Sequence, residues 1–132
     1  MYAETGLVRF EYKHFAFLGA ESILAAEASE CANEQGQFWP YHDIIFANQR
    51  GENQGAFNKA TLRFFATALE LDESEFDKCL DSNRYRKVVT AETNSAKERE
   101  VQSTPTLFIN GEKIEGAVPF EQLQARIEAE LP

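Results

Sequence analysis

The residues of this chain with the widest chemical reach are few. They are Cys31, Cys79, His14, His42 and the run Val101–Gly116, VQSTPTLFINGEKIEG. A thiol can act as nucleophile, metal ligand or redox partner, and an imidazole as base or ligand; spacing decides which. The two cysteines lie far apart, and no C-x-x-C occurs among the 132 residues, so no disulfide framework is predicted. No His/Cys pair has zinc-ligand spacing, and no metal is expected. Cys31 and Cys79 each fall on an apolar helical stripe and read as small buried hydrophobes rather than reactive thiols. No motif ties a Ser or Cys to His14 or His42, so both read as structural histidines. His42 and Asp43 are neighbours on a predicted helix and point in different directions, which argues against a base and its orienter. Glu112 and Glu115 read as solvated. Gly111 and Gly116 serve turns and lack the strand–loop–helix context of a phosphate cradle, so no cofactor is expected.

The elements that must position these residues follow from periodicity. Leu7–Phe17, LVRFEYKHFAF, alternates with Val8, Phe10, Tyr12 and His14 on one parity, which predicts a strand with one buried face. From Ala20 the period becomes helical: Ala20, Leu24, Ala28 and Cys31 form the stripe. Glu21, Glu27, Glu30 and Glu34 are expected in water, and Gly36 marks the stop. Pro40 suits the first turn of a short helix, and Phe38, Trp39, Ile44, Ile45 and Phe46 should pack it against the domain. Arg50–Ala56 is a loop. Asn58 caps a helix over Lys59–Glu70 with Leu62, Phe65 and Leu69 inward. Asp72 caps another, with Glu75 reaching back and Phe76, Cys79 and Leu80 inward. Asn83–Arg99 is a longer helix with Tyr85, Val88 and Val89 near its apolar side. Thr106–Ile109 and Glu112–Glu115 are strands joined at Asn110-Gly111, because both turn positions favour positive φ. Pro119 precedes a terminal amphipathic helix of Phe120, Leu123, Ile127 and Leu131.

The length predicts one domain over residues 1–132, with helices filling roughly 20–99. The formal charge of −9 would repel phosphate backbones and anionic lipid, so neither nucleic acid nor a membrane is an expected partner. No run approaches the roughly 18 apolar residues of a membrane span. MYAETGLVRF has no charged region followed by an apolar one, so the chain as given is expected to carry no export signal, which has two readings: a cytoplasmic protein, or a signal lost with other N-terminal sequence.

Strand, helices, TPT, hairpin and helix, in that order, resemble the DsbA-like branch of the thioredoxin superfamily. The matching stretches are TGLVRFEYKHF, AAEASECANEQGQFWPYHDIIFANQ, FDKCLDS and STPTLFINGEKIEGAVPFEQLQARIEAEL, which together cover almost the whole chain. The resemblance implies an α/β thioredoxin-like fold with a helical insertion and thiol–disulfide oxidoreductase chemistry, often outside the cytoplasm. It also implies that Thr104 and Pro105 are the substrate-binding residues, joined by a cis bond beside a Cys-x-x-Cys. Here the chain departs from the family. Met1 begins near the end of the helix that should carry the cysteines, so the fold is expected to be incomplete, its N-terminal strand and active-site helix missing. No catalytic residue is assigned.

In such a sheet the strand leading to the Cys-x-x-Cys helix lies between those corresponding to Val8–Phe15 and Thr106–Ile109. Without it they would stand about 9–10 Å apart, with unmet backbone groups costing roughly 1–3 kcal/mol each. The gap could close by direct pairing, by a strand from a separate polypeptide, or by a homodimer completing the sheet, which is the expected partner. Three functional readings follow. The chain is a redox-inactive module binding an extended peptide or protein; or it is part of a thiol–disulfide oxidoreductase that uses a missing segment, a partner, Cys31 or Cys79; or it is a related glutathione-dependent transferase or isomerase.

Overall fold

The computed structural model describes all 132 residues. Six helices and two strands occur in the order α1 (Ala20–Asn33), α2 (Phe38–Ala47), α3 (Lys59–Ala68), α4 (Glu73–Asp81), α5 (Arg86–Glu98), β1 (Thr106–Ile109), β2 (Glu112–Glu115) and α6 (Phe120–Glu130). They fall into two compact units: a helical one, His14–Asn94, and one made of Met1–Lys13 with Ser95–Pro132. The architecture is an incomplete thioredoxin-like α/β fold.

The helical unit is held by local signals that the chain spells out. Asn58 accepts from the Thr61 N–H at 2.9 Å, and Asp72 from the Glu75 N–H at 3.0 Å, each meeting a donor that a helix start leaves unpaired. Glu75 does not reach back to the cap as expected. The Asp72 N–H donates to Gln35 Oε1 instead, at 2.8 Å. The start of α1 is capped from a distance: Asn53 Oδ1 lies 3.3 Å from the Glu21 N–H. A Cβ on Gly19 would come within 2.6 Å of Asn53 Cγ, so only glycine leaves room for this cap.

Around α1, the helices α2, α3 and α4 enclose one core: Ala28, Cys31, Ala32, Tyr41, Leu62, Phe65, Ala66, Phe76, Cys79 and Leu80 are each at most 4% exposed. Tyr41 satisfies its buried hydroxyl by donating to the Leu62 carbonyl at 2.8 Å, and burial pushes its ionisation far above the usual phenol range. Two expectations fail here. Trp39 and Phe46 lie on the outer side of α2, 47% and 51% exposed, because the Tyr41–Ile45 face is the one turned inward. Glu27, expected in water, is 1% exposed. It lies among the core residues of α1, and Arg86 reaches it with Nε and Nη2 at 3.0 and 2.9 Å. Glu27 Oε1 has no hydrogen-bond partner.

The second unit is thinner. Its hairpin pairs Thr106 with Glu115, Leu107 with Ile114, Phe108 with Lys113 and Ile109 with Glu112. Asn110 and Gly111 make the turn at φ 46° and 89°, the left-handed conformation that Gly adopts without penalty and Asn tolerates. Val101 and Ile114 are its buried residues. The expected amphipathic helix forms as α6, but none of its residues is buried.

The strand expected over Leu7–Phe17 does not form: residues 8–17 carry neither strand nor helix. The sheet consists of β1 and β2 alone. An alternating pattern makes a strand only where a neighbour offers a ladder of donors and acceptors. Direct pairing between this segment and Thr106–Ile109, one of the expected ways to close the sheet, is therefore absent.

Candidate functional site

Thr104 and Pro105 lie on the shoulder where the chain enters β1. Both are exposed, and the bond between them is cis. The shoulder is anchored from behind. The Pro105 carbonyl accepts from the Gly116 N–H at 2.9 Å, and Thr106 Oγ1 donates to the Ser103 carbonyl at 2.8 Å. No hydrogen bond engages the Thr104 backbone. Beside it, the Arg99 guanidinium sits 3.6 Å from the centre of the Phe108 ring, and Lys113 Nζ donates to the Glu100 carbonyl at 3.1 Å. The arrangement is an exposed bend leading into β1, with the backbone groups of Thr104 left unbonded.

The cysteines lie elsewhere and are joined. Cys31 on α1 and Cys79 on α4 form a disulfide with Cα atoms 5.8 Å apart and 48 residues between them in sequence. This corrects the expectation of two separate thiols. Each does lie on the inner face of its helix, as its stripe implied, but α1 packs on α4 and brings the two faces together. Periodicity shows that a cysteine points inward and not which residue it meets. Both are 1% exposed, closed to a substrate disulfide.

His14 is buried, with Nε2 2.8 Å from Glu30 Oε1, while its backbone N–H donates to Glu92 Oε2 at 2.9 Å. The Ala16 N–H donates to Thr93 Oγ1 at 3.1 Å. This length of chain thus takes bonds from α5 side chains rather than from a strand. His42 and Asp43 also depart from expectation: Nδ1 and Oδ1 are 3.0 Å apart. Adjacent Cβ atoms diverge on a helix, yet the two side-chain tips converge. Asp43 is exposed, and the pair has no Ser or Cys beside it in sequence. Glu112 and Glu115 are exposed and paired with Arg126 at 2.8 Å and Lys113 at 3.3 Å. No group of three or more His, Cys, Asp or Glu side chains is placed to hold a metal ion, and no helix is long and apolar enough to cross a membrane.

Sequence reasoning missed one further cluster. Glu34 receives Arg84 Nη1 at 2.9 and 2.8 Å and the Tyr85 hydroxyl at 2.7 Å. The Arg84 bond, then the Tyr85 bond, holds the Glu34 carboxyl below its ordinary range. The bond to Glu34, aided by burial, pushes Tyr85 up to about 12. The partners are about fifty residues apart, so no local signal announces them.

Comparison with known proteins fits this geometry. A family model described as thioredoxin matches residues 1–129. Disulfide bond formation protein D of Bacillus subtilis is 25% identical over 133 residues, which span 98% of this chain and 60% of that protein. The probable disulfide bond formation protein D of Bacillus anthracis is 28% identical over 135 residues, 98% of this chain and 61% of that one. The Na(+)/H(+) antiporter NhaA 1 of Salinispora arenicola is 31% identical over 122 residues, 91% of this chain but 18% of the antiporter. The chain thus spans about three fifths of the first two relatives and under a fifth of the third. With the TPT shoulder, the hairpin, the helical unit and a match running nearly end to end, the chain belongs to the thioredoxin family, in its DsbA-like branch.

Proposed function

We propose that these 132 residues act as a DsbA-like binding module without thiol chemistry of their own, holding an extended peptide or protein segment against Thr104 and Pro105. One observation carries this reading. The only two cysteines of the chain are spent on each other, 1% exposed, in the core of the helical unit. Disulfide exchange needs an accessible thiolate to attack a substrate sulfur, and a second thiol to resolve the mixed disulfide. What is left at the shoulder is unengaged backbone with a hairpin behind it, suited to recognition by main-chain hydrogen bonds.

Insulin reduction and oxidation of a reduced model substrate test the first half. No turnover is expected, and turnover that disappears on Cys31→Ser or Cys79→Ser overturns it. Titration calorimetry with extended peptides tests the second half. Binding is expected to weaken about tenfold or more when the shoulder is reshaped by Thr104→Pro, and equal binding by that variant counts against it.

The similarity to disulfide bond formation proteins over 98% of the chain supports a second reading, in which the chain is part of a thiol–disulfide oxidoreductase. The coding sequence upstream of Met1 discriminates: an in-frame strand with a Cys-x-x-Cys favours it, and its absence favours the binding module.

A further inference from the structure

The turn between β1 and β2 sets a side-chain amide next to a bare backbone nitrogen. Asn110 is the one asparagine of the chain followed by glycine; each of the other six is followed by a residue with a side chain. A backbone nitrogen can attack the side-chain amide carbon of the residue before it and close a five-membered ring. A side chain on the attacking residue is the usual obstacle, and glycine has none. A Cβ placed on Gly111 would meet nothing within 4 Å, and no hydrogen bond holds its N–H. Asn110 and Gly111 are both exposed, so water reaches the pair. The same asparagine fastens the turn to α6. Its Nδ2 donates to Glu130 Oε2 at 2.9 Å, and two residues on, Glu112 Oε1 accepts from Arg126 Nη1 at 2.8 Å. Arg126 and Glu130 share one side of α6 by their spacing. No residue of α6 is buried, and these two side-chain bonds tie it to the hairpin.

We propose that Asn110-Gly111 is a site of spontaneous deamidation, and that the reaction cuts one of the two links to α6. The Gly111 nitrogen, its proton lost to hydroxide, bonds to Asn110 Cγ. The Cγ–Nδ2 bond breaks, and ammonia leaves with a proton from water, giving a cyclic imide. Water then opens the imide. Attack at Cγ yields aspartate; attack at the backbone carbonyl carbon yields isoaspartate, with the chain rerouted through the side chain. One water is consumed and one ammonia released, with no change of oxidation state. The closed turn holds the two residues at φ 46° and 89°, so ring closure waits on its opening and the rate follows the stability of the hairpin. The product puts a carboxylate where Glu130 had a donor. Arg126 then stands among three carboxylates where there were two, Glu112 and Glu130. Isoaspartate also adds a carbon to the turn's backbone, and the length of a two-residue turn is what sets the Ile109–Glu112 register. The proposal does not rest on the peptide reading: the turn reacts whether or not Thr104 binds peptide.

Peptide mapping by mass spectrometry of the full chain, held for several weeks at body temperature and at neutral and mildly alkaline pH, tests it. The segment holding Asn110 should gain about 1 Da, faster at alkaline pH, and part of the product should be a substrate for an isoaspartate methyltransferase. Segments holding the other asparagines should gain less. Ile114→Ala, which loosens the hairpin, should speed the gain about tenfold or more. Asn110→Gly keeps the turn and should abolish it. Hydrogen exchange reads the consequence. Asn110→Asp should speed exchange of the last-turn α6 amides roughly two- to fivefold relative to Asn110→Gly, which removes the donor without adding charge. No gain at Asn110, or one no larger than at the other asparagines, overturns the proposal, as does a rate that Ile114→Ala leaves unchanged. Equal α6 exchange in the Asn110→Asp and Asn110→Gly variants overturns its link to α6.

Discussion

The two units solve the problem of staying folded in different ways. The helical unit encloses a core on four helices and ties α1 to α4 with a disulfide. The hairpin unit has two buried apolar side chains, Val101 and Ile114, and a helix with none. The first is self-sufficient in packing; the second leaves a sheet edge and much of α6 facing outward. A two-stranded sheet is marginal in water without a packed face or further strands. The contrast teaches that in this chain most of the buried core and its one disulfide lie in the helical insertion, while the part that carries the thioredoxin signature buries little.

The strongest way to break that contrast is to remove the staple. Replacing both cysteines, Cys31→Ala with Cys79→Ala, reopens a loop of 48 residues, worth about 4 kcal/mol in the chain-entropy account. Denaturant unfolding should show a loss of that order, and a reducing agent at high concentration should reproduce it in the unsubstituted chain. A loss below about 1 kcal/mol would mean that the helical core is sufficient without the bond.

The next largest effect comes from the buried carboxylate. Arg86→Met strands Glu27, which is 1% exposed, without its cation. It should destabilise the helical unit by about 3 kcal/mol, the low end for a broken buried pair because Arg86 is itself half-exposed. Arg86→Met together with Glu27→Leu should recover most of the loss.

Ile114→Ala probes the thin unit. It should cost about 2 kcal/mol, felt locally. Protection of the Leu107 and Ile109 amides should fall about thirtyfold, while the slow amides of α1 and α3 keep their rates. Equal acceleration in the helices would show one cooperative structure and end the contrast.

The smallest effect is spectroscopic. Tyr85 ionises at about 12 in the folded protein, above its ordinary value of 10.0. The stability from this bond is therefore fully present below pH 10 and is lost as pH rises through the folded value. Glu34→Gln should bring the Tyr85 phenolate absorbance back toward the ordinary range. Glu34, held below its ordinary 4.5, works in the opposite sense: its contribution is present above that value and lost as pH falls.

Much of this could be read in the chain, and the legible parts share a cause. The caps at Asn58 and Asp72, the Asn110-Gly111 turn and both short strands are decided within a few residues, by hydrogen bonds and backbone sterics that travel with the sequence. The inward faces of α3 and α4 follow from spacing alone, since a helix fixes which residues share a side. The Thr104–Pro105 shoulder was legible as a motif because it is contiguous.

What only the tertiary structure decided is who meets whom. Cys31 finding Cys79, Arg86 reaching a buried Glu27, and Tyr85 and Arg84 closing on Glu34 each join positions 48 to 59 residues apart. Nothing in local periodicity encodes such partners. Segment 8–17 makes the same point from the other side: its alternation is real, but a strand is a property of two chains side by side, and no strand pairs with it. Local chemistry thus determined the elements and their faces, and packing determined the pairings, because a helix or turn carries its hydrogen bonds within itself while a disulfide, a buried ion pair and a sheet do not.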